Sequence, residues 1–494
     1  MVWGWPGLRL AALAFGLGAA MAAGQAPLGA WYVTVPALAG VIWLVGRADG
    51  AKAAAWLGLF AGAGHFGLAL NWIIEPFLVD PEQYGWMAPF AVVLMAFGLG
   101  LFWAAAAALA RAFAAGRAAA LPLALTLTAV EGLRGVVLTG FPWALIGHIW
   151  IDTPLAQLAA YGGPNGLTLL TTLAAALPVA LGFGGAAVSV ALLAATFGLG
   201  QWRLSQPDPA PRGVTLRLVQ PNAAQALKWE PGPARITFDR LLAYTAARPA
   251  VDLVIWPETS VPYLLHPGEG AALAIAAAAQ GVPVAAGVQR VDGTRGYNTL
   301  AVIGPGGAVT AQYDKHHLVP FGEYIPYGDA MADWFGLRAF AAQEGNGYSA
   351  GPGAKLLDLG DKLGKALPLI CYEAVFPQDL AAAEGRADWI LQITNDAWFG
   401  TLTGPFQHLA QARLRAIEQG LPLVRVANTG VSAVIDAHGR TVAEISLGQA
   451  AFHDAALPGA LPPTPYARWG EVPVWLLLAG LAAGLIGVRR RMVA

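Results

Sequence analysis

The sequence predicts a two-part molecule: a multi-span α-helical membrane part of about eight transmembrane helices, and a layered α/β domain held outside the membrane. Three observations predict it. Apolar runs of bilayer-spanning length crowd the first two hundred residues and recur once near the far end. From about residue 203 to 466, charge, proline and short β-branched runs take over, with helical stretches between them. Finally, 56% of the 494 residues are hydrophobic and only 12% are charged, for a mean hydropathy of +0.54. A soluble domain carries roughly 25% charge, so much of this chain belongs in lipid.

The candidate spans are 8–25, 30–46, 53–74, 88–110, 119–138, 165–182, 184–201 and 472–488, each near the ~20 residues that a bilayer helix needs. Small residues from Ala22 to Ala26 imitate a signal-peptide cleavage site, but another apolar run follows at once, so the first run reads as a retained helix. With eight spans, Arg9, the Arg47/Lys52 loop, the Arg111/Arg117 loop and Arg489-Arg490-Arg491 share one side. The alternate loop, with Glu75, Asp80 and Glu82, is acidic. Basic loops stay in the cytoplasm, which puts both termini there and the long segment between spans seven and eight outside. The expected divisions are a transmembrane domain at 1–202, an extracytoplasmic domain at 203–466, and a C-terminal transmembrane helix with a basic tail at 467–494.

In the middle segment, Val214 to Val219, Val251 to Trp256, Val282 to Val288, Leu300 to Ile303, Ala366 to Cys371 and Trp389 to Thr394 read as buried strands. Arg235 to Ala247, Ala271 to Gln280 and Gln407 to Gln419 read as helices. Alternation of this kind predicts a layered α/β domain, and about 260 residues suffice for one sizeable core. Proline-rich stretches at Gln206 to Arg212 and Leu457 to Pro465 read as linkers. The net charge of -1 gives no basic footprint for nucleic acid. A single cysteine excludes an internal disulfide and a cysteine-based metal cluster, leaving that thiol as either a small core hydrophobe or a reactive group.

Three strand ends carry chemistry. Ile255-Trp256-Pro257-Glu258-Thr259 sets a carboxylate just past a buried strand, which suits a general base of raised pKa and equally a solvated loop or cap residue. Tyr313 to Tyr324 includes Lys315, His316, His317 and Glu323, and reads otherwise as a polar loop. Its paired histidines would point apart on a strand with no third ligand, so no metal site is expected. Leu369-Ile370-Cys371-Tyr372-Glu373 holds the lone cysteine. Within the spans, Glu131 and Arg134 lie three apart on one helix face and read as a structural pair, and His65 reads as a packing residue.

Taken together, these residues resemble the nitrilase, or carbon–nitrogen hydrolase, superfamily with its Glu-Lys-Cys triad, and within it the apolipoprotein N-acyltransferases. The resemblance rests on Trp256-Pro257-Glu258-Thr259, on Lys315 through Pro326, and on Ile370-Cys371-Tyr372-Glu373. It continues through Asn395-Asp396-Ala397-Trp398-Phe399-Gly400, Gly404 to His408, Arg415 to Glu418, Asn428-Thr429-Gly430 and Thr464 to Arg468. The membrane half joins it with Glu131 to Gly135 and Thr139 to Trp143. Gly132, His148 and Leu421 depart from the family pattern, which expects Trp, Tyr and Arg there.

The resemblance implies a nitrilase-like αββα sandwich facing the periplasm from a bacterial inner membrane. It implies Glu258 as general base, Cys371 as nucleophile and Lys315 as the cation beside a developing oxyanion. Glu323 and Glu373 match supporting positions, ordinary ion pairs being the alternative, and Trp229 and Tyr372 match substrate-site aromatics. The implied reaction takes an acyl chain from a phospholipid, phosphatidylethanolamine being the expected donor, onto Cys371. The thioester then acylates the N-terminal amine of a diacylglyceryl-cysteine apolipoprotein, without a cofactor or metal. Water must lose to that amine, so a shielded pocket with mobile covering loops is expected. A membrane-tethered amidase would keep the triad but needs no elaborate helical half. A receptor or transporter with a degenerate domain would have lost part of the triad.

Overall fold

The protein is described by a computed structural model covering residues 5–326 and 347–493. The chain divides into two units, one of Met1–Pro207, Leu402–Ala410 and Pro463–Ala494, the other of Asp208–Thr401 and Gln411–Pro462.

In the first unit a helix stands at each of the apolar runs. These are α1 (Leu8–Met21), α2 (Trp31–Gly46), α3 (Ala51–Ala69), α4 (Ala88–Phe113), α5 (Ala120–Arg134), α6 (Ala159–Leu181), α7 (Phe183–Leu204) and the C-terminal helix Val472–Val493. Among the described residues, four helical stretches are long and apolar enough to cross a membrane: Pro81–Phe113, Pro154–Leu181, Phe183–Leu204 and Val472–Arg491. A fifth is added if α3 and the segment Asn71–Leu78, bent by 50°, count as one span. This is fewer than the eight that hydrophobic runs alone suggest.

The differences have local causes. The run expected at 53–74 breaks after Ala69, and Pro76 follows inside a 3-10 segment. The run expected at 119–138 stops at Arg134, whose guanidinium turns back onto the carbonyls of Phe141 and Trp143 and caps the exit from the helix. Within α6 the chain kinks at Gly163, with φ +59, just before Pro164.

Small residues let these helices approach closely: a Cβ on Gly18 of α1 would lie 1.8 Å from the Ala61 carbonyl oxygen of α3. The one buried ion pair in the bundle joins Arg134 and Glu131 at 2.8 Å among the described residues. Trp103 Nε1 donates to the same glutamate at 2.8 Å, so its charge is fully engaged in packing, as the i, i+3 spacing suggests. His65 stacks on Trp103 and reaches the Ala144 carbonyl through Nε2 at 3.0 Å, which makes it a packing residue.

The second unit is an α/β sandwich built on two six-stranded sheets. One runs β12-β1-β2-β3-β4-β5 and the other β11-β10-β9-β8-β7-β6. Its strands are β1 (Thr215–Gln220), β2 (Leu253–Ile255), β3 (Val284–Asp292), β4 (Arg295–Ile303), β5 (Val309–Asp314), β6 (Leu357–Asp358), β7 (Lys365–Ile370), β8 (Trp389–Thr394), β9 (Leu423–Ala427), β10 (Ser432–Ile435), β11 (Thr441–Ile445) and β12 (Ala451–Ala456). Parallel pairing joins β1 to β2 and β2 to β3 in one sheet, and β7 to β8 and β8 to β9 in the other. Strands β2, β8 and β9 are buried along their whole length, as parallel strands covered on both faces must be.

Helices α8 (Pro231–Thr245) and α9 (Gly270–Ala279) cover the first sheet. Leu241 and Ile275 from them close a core with Val254, Trp256, Val284 and Ala286. The sheets are joined across the middle by polar groups: Gln220 accepts from the Ser432 hydroxyl at 2.6 Å, and Asn428 bonds both the amide and the carbonyl of Ala223.

Candidate active site

The turns that follow β2, β5, β7 and β8 converge between the two sheets. Glu258 leaves β2 on a turn pressed against β3. A Cβ on Gly287 would stand 2.4 Å from the Pro257 oxygen and 2.5 Å from the Glu258 Cα, so only glycine admits the turn there. The next residue, Thr259, has φ +43, a left-handed conformation that β-branched residues rarely adopt. The buried Glu258 carboxylate then collects its donors. Oε1 accepts from Asn298 Nδ2 at 2.7 Å and lies 3.5 Å from Lys315 Nζ, while Oε2 accepts from the Asn395 amide at 2.8 Å.

Lys315 follows β5 and is only 1% exposed. Its ammonium sits 2.8 Å from Glu323 Oε2 and 3.5 Å from Glu258 Oε1. Burial alone would lower its pKa, but Glu323, then Glu258, outweigh that and hold it above the ordinary lysine range. The lysine is therefore a permanent cation between two carboxylates. Glu323 is fixed in turn by the Val319 amide at 2.9 Å and by Asn298 Nδ2 at 3.1 Å. One amide thus donates to both carboxylates.

Cys371 was expected as the last residue of a strand. It lies one step beyond β7, in a turn with φ +51, and this sharp turn takes its side chain off the strand's alternation. The thiol is buried, and burial, then the Glu258 charge, push its pKa up, while Lys315 and the Thr394 hydroxyl pull it back. Glu258 and Lys315 thus lie 3.5 Å apart, and the charges of both act on the buried Cys371 thiol.

Glu373 ties two of these turns together. Its Oε1 accepts from the Tyr313 hydroxyl and the His316 amide, both at 2.8 Å, and its Oε2 from the Ile370 amide at 2.7 Å. Burial opposes ionisation, but His316 and the backbone amides more than compensate, so this carboxyl stays below its ordinary pKa. The two histidines that invite a metal are each engaged by a carboxylate: His316 Nδ1 lies 2.7 Å from Glu373 and His317 Nδ1 2.9 Å from Asp379. His317 also stacks on Phe376, and Tyr372 stands edge-on to both rings. Trp229 is half-buried on the segment between β1 and α8, with the Lys228 ammonium 5.5 Å from its ring centroid.

Sequence reasoning missed Lys228, Asn298, Thr394 and Gly287, and placed Asn395 in a family motif without giving it a role. Asn298 carries a usable signal, since Tyr297-Asn298-Thr299 sets an amide inside an otherwise apolar strand, where it must find partners. Lys228 stands beside the flagged Trp229.

A family model described as the apolipoprotein N-acyltransferase N-terminal domain matches residues 17–177, and one described as carbon-nitrogen hydrolase matches residues 213–458. A protein of Bradyrhizobium diazoefficiens named apolipoprotein N-acyltransferase is 41% identical over 529 residues, covering 100% of this chain and 96% of its own. The chain belongs to the apolipoprotein N-acyltransferase family. Members of the same name from Rhodopseudomonas palustris and Brucella melitensis are 38% and 37% identical, over 99% and 98% of this chain and 96% of each of theirs. Family membership thus spans both units, and the chain is an acyltransferase on the carbon–nitrogen hydrolase fold.

Proposed function

We propose that this enzyme completes lipoprotein maturation by a two-step transfer through a Cys371 thioester. In the first step Glu258 accepts the thiol proton as Sγ attacks the ester carbonyl of a phospholipid, phosphatidylethanolamine being the expected donor. The Lys315 ammonium, with the backbone N–H after Cys371, holds the negative charge that forms on the carbonyl oxygen. Collapse breaks the ester bond, Glu258 returns the proton to the departing glycerol oxygen, and a lysophospholipid leaves. In the second step the neutral α-amine of a diacylglyceryl-cysteine at an apolipoprotein's N-terminus attacks the thioester. Glu258 takes the amine's proton and passes it to the leaving Sγ, which restores the thiol.

What carries the reading is the buried arrangement of Glu258, Lys315 and Cys371 in a chain matched along its whole length by enzymes named for this transfer. The geometry explains why both polar partners are needed. A thiol whose ionisation is opposed by burial requires a base to take its proton and a fixed cation to receive the charge. Glu323, Glu373, Trp229 and Tyr372 are proposed to support them: the glutamates hold the turns, and the aromatics meet the substrates. The helical half tells against a hydrolytic amidase, since hydrolysis of a soluble amide has no use for it.

We further propose a transmembrane domain at 1–202, a periplasmic catalytic domain at 203–466 and a C-terminal helix with basic tail at 467–494. These lie in a bacterial inner membrane with eight crossings and both termini cytoplasmic. Anchorage has an energetic reason. Drawing a chain of about sixteen carbons out of lipid costs roughly 12 kcal/mol, at about 0.8 kcal/mol per methylene. An enzyme resident in the bilayer avoids most of that cost.

The test is intact-mass analysis after incubation with phosphatidylethanolamine, for wild type and Cys371→Ala. A hydroxylamine-sensitive gain of one acyl chain is expected on wild type alone, and a diacylglyceryl peptide should discharge it as a triacylated product. No adduct in competent detergent would sink the proposal.

A further inference from the structure

A second lysine is buried beside the site, and neither the triad nor its supporting carboxylates account for it. Lys228 lies between β1 and α8, just after the short 3-10 turn Gln225–Leu227. It is 7% exposed, and its ammonium reaches the turn that carries Glu258: Nζ donates to the Thr259 hydroxyl at 2.7 Å and to the Glu258 carbonyl at 3.3 Å. A side chain of this length rarely gives up its hydration without a task. The turn it grips is the strained one, with Thr259 at φ +43 above Gly287. Left-handed backbone at a β-branched residue persists only where neighbours over-determine it, and the Lys228 contacts supply that determination. The same segment is fastened from the other sheet, where Asn395 Nδ2 donates to Gln225 Oε1 at 2.7 Å. The amide of Asn395 is itself a donor to Glu258.

We propose that Lys228 is a positioning residue for acyl transfer, whose ammonium clamps the Glu258–Thr259 turn and keeps a positive charge behind the base. The inference rests on Glu258 being that base. Lys228 acts through Glu258 and need not touch substrate, which distinguishes it from Lys315, the cation held between Glu258 and Glu323. The titratable groups that face it are Glu258, on the turn after β2, and the Cys371 thiol, on the turn after β7. Burial draws its pKa down to about 8, against the pull of Glu258 and Cys371. The clamp therefore loses its charge just above neutrality. Lys315 and Cys371, both pushed upward, do not titrate in that range.

The experiment measures the rate of thioester formation with phosphatidylethanolamine from pH 6 to 9.5, for wild type, Lys228→Met and Lys228→Arg, with unfolding monitored in parallel. Wild type is expected to slow above about pH 8. Lys228→Met should be slower at pH 7 by on the order of tenfold to a hundredfold, the scale of a misplaced catalytic group. It should show no further fall above pH 8. Lys228→Arg keeps its charge throughout and should hold its pH 7 rate to pH 9.5. A Met variant as fast as wild type, or one slower but still falling above pH 8, would overturn the clamp. If the Met variant does not fold, the Arg variant decides by keeping or losing the alkaline fall. Absence of any adduct on wild type would instead overturn the reading of Glu258 and Cys371 on which the clamp depends.

Discussion

At the scale of single residues, the site is a balance of charges in a dry space. Lys315 faces two carboxylates, Glu258 and Glu323, and each carboxylate has further donors from Asn298 and from backbone amides. Unpaired buried charge would be far costlier than this network, so removing one member disturbs all the others. The thiol is the exception, held neutral by burial and by the Glu258 charge. That reverses the common expectation that a catalytic cysteine labels quickly. With its pKa raised, the thiolate fraction of Cys371 climbs about tenfold per pH unit through the range where an ordinary thiol has begun to level off. Iodoacetamide labelling of the resting enzyme, followed by mass, should therefore be slow at pH 7 and still rising at pH 9.5. A plateau near pH 8.5 would show an ordinary, unburied thiol and would contradict the geometry.

At the scale of elements, the site depends on sharp turns at strand ends more than on the strands themselves. Glu258, Lys315 and Cys371 follow β2, β5 and β7, and Glu373 links the last two of these turns through the amides of His316 and Ile370. The turn after β2 has the least room. Gly287→Ala would drive a methyl group to within 2.6 Å of the Pro257 oxygen, the Glu258 Cα and the Thr259 amide. Rigid backbone cannot yield there as a flexible side chain would, so Glu258 must shift. Thioester formation is expected to fall about a hundredfold, the cost of roughly 1 Å of misplacement, while circular dichroism still reports an intact α/β domain. Wild-type rates in that variant would mean that the turn has slack.

The strands were legible because β-branched apolar runs such as Val254-Ile255 and Trp389 to Thr394 announce buried parallel strands. That Glu258, Lys315 and Cys371 belong to one site was suggested by the family motif, and the fold brings the turns that carry them together. The positive φ of Cys371 and Thr259 was not legible, since nothing in either side chain signals a left-handed turn. Asn298, Lys228 and Gly287 also escaped, because their importance lies in contacts made across the fold at 25 to 40 positions' separation or in a missing side chain. The Asn298–Glu323, Asn298–Glu258 and Lys228–Glu258 bonds, 25, 40 and 30 positions apart, illustrate the first case.

At the scale of the whole molecule, the open quantity is the number of membrane crossings, and parity makes it measurable. Helices α1, α2 and α5 have 14, 16 and 15 residues. At 1.5 Å per residue they are about 21 to 24 Å long, short of a hydrocarbon core of about 30 Å. Short helices can still cross where the bilayer thins or where polar ends reach the interface, at a modest cost per ångström. Against their brevity stands the distribution of charge. Arg9, Lys52, Arg111, Arg117 and Arg489 to Arg491 share one side if every apolar run crosses, and fall on both sides if only the four or five longest do. Eight crossings place both termini on the cytoplasmic side, and any even number also keeps them together, whereas five would place them on opposite sides. Reporters fused in turn to each end, one fluorescent only in the cytoplasm and one a phosphatase active only in the periplasm, separate these cases. Both ends are expected to fluoresce and neither to show phosphatase activity. A phosphatase-active C-terminus beside a fluorescent N-terminus would mean an odd number of crossings. It would also remove the charge argument for a periplasmic catalytic domain, and with it the reason to expect the lipoprotein amine on that face.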